Sequence, residues 1–376
     1  MAVVLAPSTK RRSTFNGLTV REVRRLTDDA VEVTLDVPPN LQDKYSYLPG
    51  QYVALRTTLD IDGEPKEVRR SYSICADPRP GELRVAVKRD LGGAFSTWAN
   101  ESLKAGDTLD VMSPLGQFTP RTTTGAQAVS FVAVAAGSGI TPVISIARSM
   151  LGSGPNVRFD LVYANRASMD VMFLEELADL KDRYPARFAL HHVLSREQRI
   201  SPLLSGRIDA EKLEKLLGTV IAAEQVDEWF LCGPFELVQL CRDYLAERGV
   251  PADRVRFELF TTGEPARPEG SVGRPVAAAS EGETYSISFN LDGLKGSVQS
   301  PTYARESILN AALRVRPDVP FACAGGVCGT CRAKLVEGTV EMEENYALEP
   351  DELAAGFVLT CQARPTSDTV SVDYDA

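Results

Sequence analysis

The sequence predicts a multidomain chain: an antiparallel β-barrel, then an α/β doubly wound parallel-sheet domain, then a smaller domain bearing a cysteine cluster. Three observations predict it. Residues 18–115 read as short strands between Gly/Pro turn signals. Residues 129–260 alternate buried-strand and helix patterns. Four of the seven cysteines fall in the last quarter of the chain. A length of 376 residues suits two or three domains, at roughly 100–200 residues each.

Residues 1–12 read as a disordered tail. Val3 to Ala6 is too short for a signal h-region, and Lys10, Arg11 and Arg12 follow it rather than precede it. No window approaches a membrane span, so a cytoplasmic, reduced compartment is expected. In the barrel region, residues 31–37 alternate as a half-buried strand. Residues 51–56 and 83–87 read as strands, with Pro49-Gly50, Pro80-Gly81 and Gly92-Gly93 as turns. The pattern changes near Gly125. Residues 129–136 are a continuous apolar run, as a strand covered on both faces should be. Predicted helices at 142–151, 171–183, 213–217 and 236–248 then alternate with strands at 157–163, 188–194 and 229–232, and this domain is expected to end near Phe260. Residues 263–280 are rich in Gly, Pro and Ala without periodicity and read as a linker. Beyond it, residues 285–291 alternate as a strand and 308–313 suit a short helix. The expected domains are 13–122, 123–262 and 281–376.

Composition excludes several chemistries. The only histidines, His191 and His192, are adjacent. In a strand they would point to opposite faces and could not chelate one metal. A self-contained Rieske centre, a two-histidine zinc protease and a histidine-ligated di-iron site are therefore excluded. The net charge of −10 argues against a nucleic-acid surface. Residues 281–376 hold 15 acidic and 7 basic residues, so most of the acidity belongs to the last domain.

Cys323-x4-Cys328-x2-Cys331, with Cys361 after 29 further residues, has the plant-type [2Fe–2S] spacing. Three thiolates within nine residues need a loop wrapped closely around the metals. Gly325, Gly326 and Gly329 give that loop positive φ and close backbone approach. Four cysteines also suit zinc. Zinc ribbons usually pair two C-x2-C knuckles, however, whereas here one segment supplies three ligands and the other one.

Arg70-Ser71-Tyr72-Ser73 suits a flavin: a guanidinium fork for phosphate, a ring to stack on the isoalloxazine, and a hydroxyl for a ring nitrogen. Tyr72 as a core residue of a strand is the plainer reading. Val87 and Lys88 lead into Gly92-Gly93-Ala-Phe-Ser96, where glycine amides, a helix N-terminus and the Ser96 hydroxyl would hold an anion. Gly137-Ser-Gly139-Ile-Thr141-Pro142 follows the buried strand and opens a helix, as a pyrophosphate loop does. Cys232-Gly233-Pro234 ends the last predicted parallel strand, where open α/β sheets bind ligands. With no histidine to activate it, Cys232 reads as packing against a nicotinamide rather than as a nucleophile.

This order of motifs resembles the ferredoxin–NADP⁺ reductase superfamily, with a plant-type ferredoxin of β-grasp (α+β) fold fused at the C-terminus. The resemblance covers about residues 15–376. It implies FAD bound by Arg70, Ser71, Tyr72, Ser73, Val87, Lys88, Gly92, Gly93 and Ser96. It implies a nucleotide held by Gly137, Gly139, Thr141, Pro142, Cys232, Gly233 and Pro234. It also implies Cys323, Cys328, Cys331 and Cys361 as cluster ligands. Glu258-Leu-Phe260 is similar to the family's acidic-x-aromatic terminus, whose aromatic ring covers the flavin; here Phe replaces the usual Tyr and the chain continues. Ser73, Cys232 and Glu258 are the residues expected around hydride transfer. Ser195-Arg196-Glu-Gln resembles the 2′-phosphate site of NADP⁺-dependent relatives, with Arg166 or Arg199 in support, so NADPH is expected over NADH.

Within the family, Val340-Glu-Met-Glu-Glu-Asn-Tyr-Ala-Leu-Glu and Gly356-Phe-Val-Leu-Thr-Cys361-Gln are most like the branch serving a di-iron oxygenase that epoxidises phenylacetyl-CoA. The resemblance implies an electron path from nucleotide to FAD to [2Fe–2S] to that oxygenase, in phenylacetate catabolism. Reductases of Rieske-type or steroid oxygenases share the plan. A redox-sensing module that keeps the cofactors without turnover is the alternative from another class.

Overall fold

Strict alternation at residues 31–37 produces a strand whose inward side chains (Val31, Val33 and Leu35) are fully buried in a barrel core. The computed structural model describes residues 3–5, 15–260 and 283–376, apart from 62, 91, 117, 123, 125–126, 221–225, 292–293, 317–318, 320, 322–325, 327–328, 346 and 349. The chain divides into two units. Unit 1 is Met1–Phe15, Arg69–Ser71 and Gly263–Ala376, and unit 2 is Asn16–Val68 and Tyr72–Thr262. Strand β1 (Val3–Leu5) belongs to unit 1 and is described with it.

Six strands form the barrel sheet: β2 (Phe15–Thr27), β3 (Ala30–Asp36), β4 (Tyr52–Ile61), β5 (Glu64–Ser73), β6 (Glu82–Lys88) and β7 (Thr108–Met112). Their order is β5-β4-β7-β2-β3-β6. The two edges meet where Ile74, just past β5, bridges Val85 of β6, so the antiparallel sheet nearly closes. Helix α1 (Ala94–Glu101) follows the Gly92-Gly93 turn and buries Phe95 in the barrel core.

The second half of unit 2 is a parallel sheet. It holds β8 (Val129–Ala136), β9 (Val157–Asn165), β10 (Phe188–Leu194), β11 (Glu228–Gly233) and β12 (Val255–Leu259), in the order β10-β9-β8-β11-β12. The order reverses between β8 and β11, which places the topological switch point at Gly137 and Cys232. Helices α2 (Ile140–Ser153), α3 (Leu174–Arg183), α4 (Ala210–Lys215) and α5 (Phe235–Glu247) connect the strands. α2 starts two residues earlier than predicted, because Gly137–Gly139 form a 3-10 turn leading directly into it. α3 starts three residues later than predicted. Phe173 precedes it with φ of +59° and is buried, so residues 171–173 cannot continue the helix backwards. β12 lies outside the predicted elements: Val-Arg-Phe-Glu-Leu is only five residues long and, although Gly249 and Pro251 precede it, its pairing with β11 decides its state.

Two features fix the sheet against the barrel within unit 2. The buried Glu228 carboxylate accepts the amides of Arg121 (3.0 Å) and Thr122 (3.1 Å), on the crossing segment. From α2, Ser145 Oγ donates to the Ala76 carbonyl (2.7 Å) and Arg148 Nη1 to the Cys75 carbonyl (3.1 Å). Hydrogen bonds to a charged group contribute about 1.5–3 kcal/mol each, and both ties include such a bond, through the Glu228 carboxylate and the Arg148 guanidinium.

Unit 1 contains β13 (Thr284–Leu291), β14 (Leu294–Pro301), α6 (Ile308–Leu313), β15 (Arg332–Glu337), β16 (Val340–Met342), α7 (Pro350–Ala354), β17 (Phe357–Leu359), β18 (Ala363–Pro365) and β19 (Thr369–Asp373). The main sheet runs β14-β13-β19-β15-β17, mixed, with β13 and β19 parallel. α6 is capped by Ser307, whose hydroxyl accepts the Asn310 amide, and its buried residues join the sheet in one core. A mixed sheet grasping a helix is the expected α+β fold. The residues read as a disordered tail include β1, which pairs parallel with β16; three apolar residues in extended form complete a small sheet with β18. The linker 263–280 lies outside the described residues. Among those described, no helix is long and apolar enough to cross a membrane.

Candidate functional site

On the barrel, Arg70, Ser71, Tyr72 and Ser73 end β5. Arg70 is exposed, with Nη1 on the Arg69 carbonyl (2.7 Å), and Ser71 is half-buried. The Tyr72 ring lies 5.5 Å from Phe95 of α1, the helix that follows the Gly92-Gly93 turn. Gly92 has φ of +76°. Gly93 stands at the N-cap of α1 and offers no side chain to cap the first turn, which suits a turn that meets a phosphate. Ser96 is placed differently from expectation. Its buried hydroxyl accepts the Asp90 amide (3.0 Å) and donates to the Gly93 carbonyl (3.2 Å), so it shapes the turn. A Cβ on Gly93 would stand 2.5 Å from that hydroxyl, which explains the glycine. Val87 faces the barrel core, leaving only its backbone for a ligand. Lys88 Nζ pairs with Asp29 (3.2 Å).

At the switch point, Gly139 packs directly on β11. A Cβ there would lie 2.2 Å from the Cys232 carbonyl oxygen. Gly137 has φ of +53° and open space where its Cβ would project. These are the features of a loop that lets a pyrophosphate approach the backbone, and the residues fit that group. Thr141 Oγ1 donates to the Ser138 carbonyl (3.0 Å), and Pro142 is buried in the first turn of α2. Fully buried Tyr163 donates its hydroxyl to the Gly137 carbonyl (2.9 Å) and so holds the loop from the neighbouring strand; no motif marks it.

Past the ends of β9 and β10 the chains stay paired. The Ser195 amide donates to Asn165 (2.9 Å) and the Arg196 amide to Arg166 (2.7 Å). The Arg196 side chain is exposed at this edge. Arg166 instead contacts Asp170 (2.8 Å) and Asp29 (3.3 Å). Asp29 therefore joins Lys88 on the flavin side to Arg166 on the nucleotide side. Arg199 donates its amide to Ser205 and is exposed.

Ser73, Cys232 and Glu258 converge. Cys232 is the register partner of Glu258 between β11 and β12, and Ser73 Oγ stands 3.5 Å from a Glu258 oxygen. Pro234 caps α5 just beyond. The Phe260 amide donates to Gly233 (2.9 Å), and its ring packs on the core that holds Ile140 and Cys232. Burial, then the neighbouring Glu258 charge, pushes the Cys232 thiol well up; burial above all does the same at Cys75, and pushes Cys241 up to about 12. The thiolate is the reactive form. Iodoacetamide at neutral pH is therefore expected to leave these three cysteines unmodified in the folded protein and to label them after unfolding, as read by peptide mass mapping. Native labelling of Cys232 would contradict a packing role.

In unit 1, Cys331 immediately precedes β15 and Cys361 follows β17 by two residues; the antiparallel pairing of those strands brings the two buried thiols to one end of the sheet. Gly326 has φ of +76°, and a Cβ there would come within 3.0 Å of Gln362 and 2.9 Å of the Glu344 carbonyl. Gly326 thus lies tightly against Gln362, next to Cys361. Reduced, buried thiols beside a glycine loop are the donor set an iron–sulfur cluster needs. Cys323, Cys328 and Gly325 lie outside the described residues.

A barrel, a doubly wound sheet with a phosphate loop at its switch point, and a cysteine-bearing mixed sheet define a flavin- and nucleotide-dependent iron–sulfur reductase. Comparison agrees: residues 17–119 match the oxidoreductase FAD-binding domain, 133–243 the oxidoreductase NAD-binding domain, and 294–366 the 2Fe-2S iron-sulfur cluster binding domain. The chain is 44% identical to a subunit of the 1,2-phenylacetyl-CoA epoxidase of Escherichia coli (strain K12), over 97% of this chain and 99% of that protein. It is 34% identical to the ferredoxin reductase component of 3-ketosteroid-9-alpha-monooxygenase from Rhodococcus rhodochrous, over 95% and 96%. The fold matches phthalate dioxygenase reductase with a TM-score of 0.52 at 24% identity, over 96% of this chain and 98% of that one. The chain belongs to the ferredoxin–NADP⁺ reductase superfamily with a fused C-terminal [2Fe–2S] ferredoxin. It is an oxidoreductase, the reductase component of a multicomponent oxygenase, carrying electrons from a pyridine nucleotide through FAD and a [2Fe–2S] cluster to the oxygenase.

Proposed function

We propose that the electron donor is NADPH and that the acceptor is a di-iron oxygenase epoxidising phenylacetyl-CoA in the cytoplasm. Identity of 44% over nearly the whole length to a component of that epoxidase supports the acceptor. The nucleotide choice rests on one observation: the exposed Arg196 guanidinium beside Ser195 at the C-terminal end of β10. A planar cation there suits a phosphate monoester. Arg70, Ser71, Tyr72 and the Gly92-Gly93 turn hold the flavin, and Gly137 to Pro142 with Cys232 to Pro234 hold the nucleotide. Ser73, Cys232 and Glu258 shape the space for the reacting rings, with Phe260 covering it. Cys323, Cys328, Cys331 and Cys361 hold the cluster. When bound, the flavin takes up electrons in pairs and the cluster hands them on singly. The protein orients these groups, so no acid–base histidine is needed. The domains are assigned as 13–122, 123–262 and 281–376, joined by 263–280.

Steady-state kcat/KM with cytochrome c as acceptor, for NADPH and NADH in turn, tests the donor. NADPH should be preferred, and a large NADH preference would sink that assignment. Pairing with purified oxygenases tests the acceptor. Epoxide formation from phenylacetyl-CoA supports it. Turnover only with a steroid oxygenase would move the chain to its other set of relatives, and no sustained turnover with any acceptor would favour a sensor.

A further inference from the structure

Cys331 and Cys361 come from segments 30 positions apart in the chain, so their separation depends on how the β15–β17 pairing ends. Arg332 faces Leu359 in that register, which sets Thr360 opposite Cys331. Thr360 is fully buried and binds the Cys331 carbonyl twice, through its amide (3.1 Å) and its hydroxyl (2.9 Å). The Thr360 hydroxyl in turn accepts the hydroxyl of Tyr374 (3.0 Å). Tyr374 is itself anchored, its amide donating to the Asn290 carbonyl on β13 (3.0 Å) and its ring packing on the core that includes both cysteines. A continuous path therefore runs from β13 through two hydroxyls to the backbone of one cysteine, one residue away from the other. Each hydroxyl proton has one acceptor along it. Tyr374 lies beyond residues 294–366, the stretch matching the 2Fe-2S domain, so the path uses a residue outside that segment.

We propose that Thr360 and Tyr374 are positioning residues for the cluster, a two-hydroxyl clamp that holds Cys331 and Cys361 at their ligating separation. The proposal rests on reading those cysteines as ligands. The two hydroxyls bond to the Cys331 backbone and to each other. They act by keeping the Cys331 peptide from rotating and the β15–β17 end from parting, which is the opening through which a ligand would be lost.

The test compares the full-length holoprotein with its Tyr374→Phe, Thr360→Val and Cys361→Ser variants. Iron release to a bathophenanthroline chelator, the EPR spectrum of the dithionite-reduced protein and the thermal midpoint by circular dichroism are measured on each. Tyr374→Phe removes one hydrogen bond without changing shape. It should assemble a full cluster yet release iron about three- to tenfold faster, the factor a single hydrogen bond carries. Its EPR signal should be altered and its thermal midpoint kept. Thr360→Val should release iron faster still, with some fall in thermal midpoint, because it also leaves the Tyr374 hydroxyl without its acceptor. Release and EPR identical to the parent in Tyr374→Phe would overturn the clamp. So would faster release matched by an equal fall in thermal midpoint, which is what a merely structural role predicts. Cys361→Ser separates the two readings: loss of the normal cluster upholds the ligand assignment whatever the Phe variant does. A parent-like cluster in Cys361→Ser would remove that assignment, and the clamp with it.

Discussion

Gly139→Ala is expected to abolish most nucleotide-driven reduction while leaving chemical reduction of the flavin and cluster by dithionite intact. The added methyl would stand 2.2 Å from the Cys232 carbonyl oxygen, 2.6 Å from its carbon and 3.0 Å from the Gly233 nitrogen. All three obstacles are backbone, and Cys232 is in register between Ala135 of β8 and Glu258 of β12. No side chain can turn aside; the phosphate loop must lift or β11 must shift. Inserting a methylene into a packed site costs about 1–3 kcal/mol, and rigid backbone on the far side puts this case at the upper end. On the proposed reading the loop also positions the donor for transfer, and a misplacement near 1 Å can lower a rate on the order of 100-fold. The expected result is a fall of that order in kcat/KM for the nucleotide. Gly137→Ala is the comparison. Its Cβ meets nothing within 4 Å, and only its φ of +53° is unfavourable to alanine, at about 1–2 kcal/mol. Stopped-flow flavin reduction should therefore rank Gly139→Ala as far more damaging than Gly137→Ala. Equal effects would show that loop conformation, not the contact with β11, limits the site.

That ranking marks what is legible in the sequence. The glycine-rich loop can be read there because it follows a continuous apolar run, and such a run in an α/β pattern is a central parallel strand. Which glycine meets which strand cannot be read, because β11 lies some 90 residues away and the β8–β11 neighbour relation is decided by tertiary packing. Lys88, Arg166 and Ser96 show the same limit. Their types suit phosphate, but the partners that occupy them (Asp29, Asp170 and the Asp90 turn) belong to no motif. β1 and β12 escape a sequence reading because three to five apolar or alternating residues carry little periodic signal until a partner strand is present. The cysteine spacing carries most, since three cysteines within nine residues constrain one another locally. Thr360 and Tyr374 show what that spacing leaves out: the hydrogen bonds on the Cys331 carbonyl come from the residue beside Cys361 and, through it, from the residue after the last strand.

Arg196→Ala should lower kcat/KM for NADPH and leave NADH nearly unchanged. The two nucleotides differ only by the 2′-phosphate, so a residue acting on that group alone moves one and not the other. Arg196 is held by its backbone, through its amide on the Arg166 carbonyl, while its side chain stays exposed at the sheet edge. A guanidinium–phosphate hydrogen bond contributes about 1.5–3 kcal/mol, which corresponds to a loss of roughly 10- to 150-fold. Arg166→Ala should matter less, since its guanidinium already faces two carboxylates, Asp170 at 2.8 Å and Asp29 at 3.3 Å, and a phosphate would have to compete with both. Added salt gives the physical check. An exposed cation–phosphate contact is screened over a Debye length of about 8–10 Å at moderate salt. The NADPH preference should therefore shrink as salt rises in the parent and be insensitive to it in Arg196→Ala. If the alanine variant lost activity equally with both nucleotides, Arg196 would be supporting the loop rather than reading the phosphate, and the choice of NADPH would lose its structural basis.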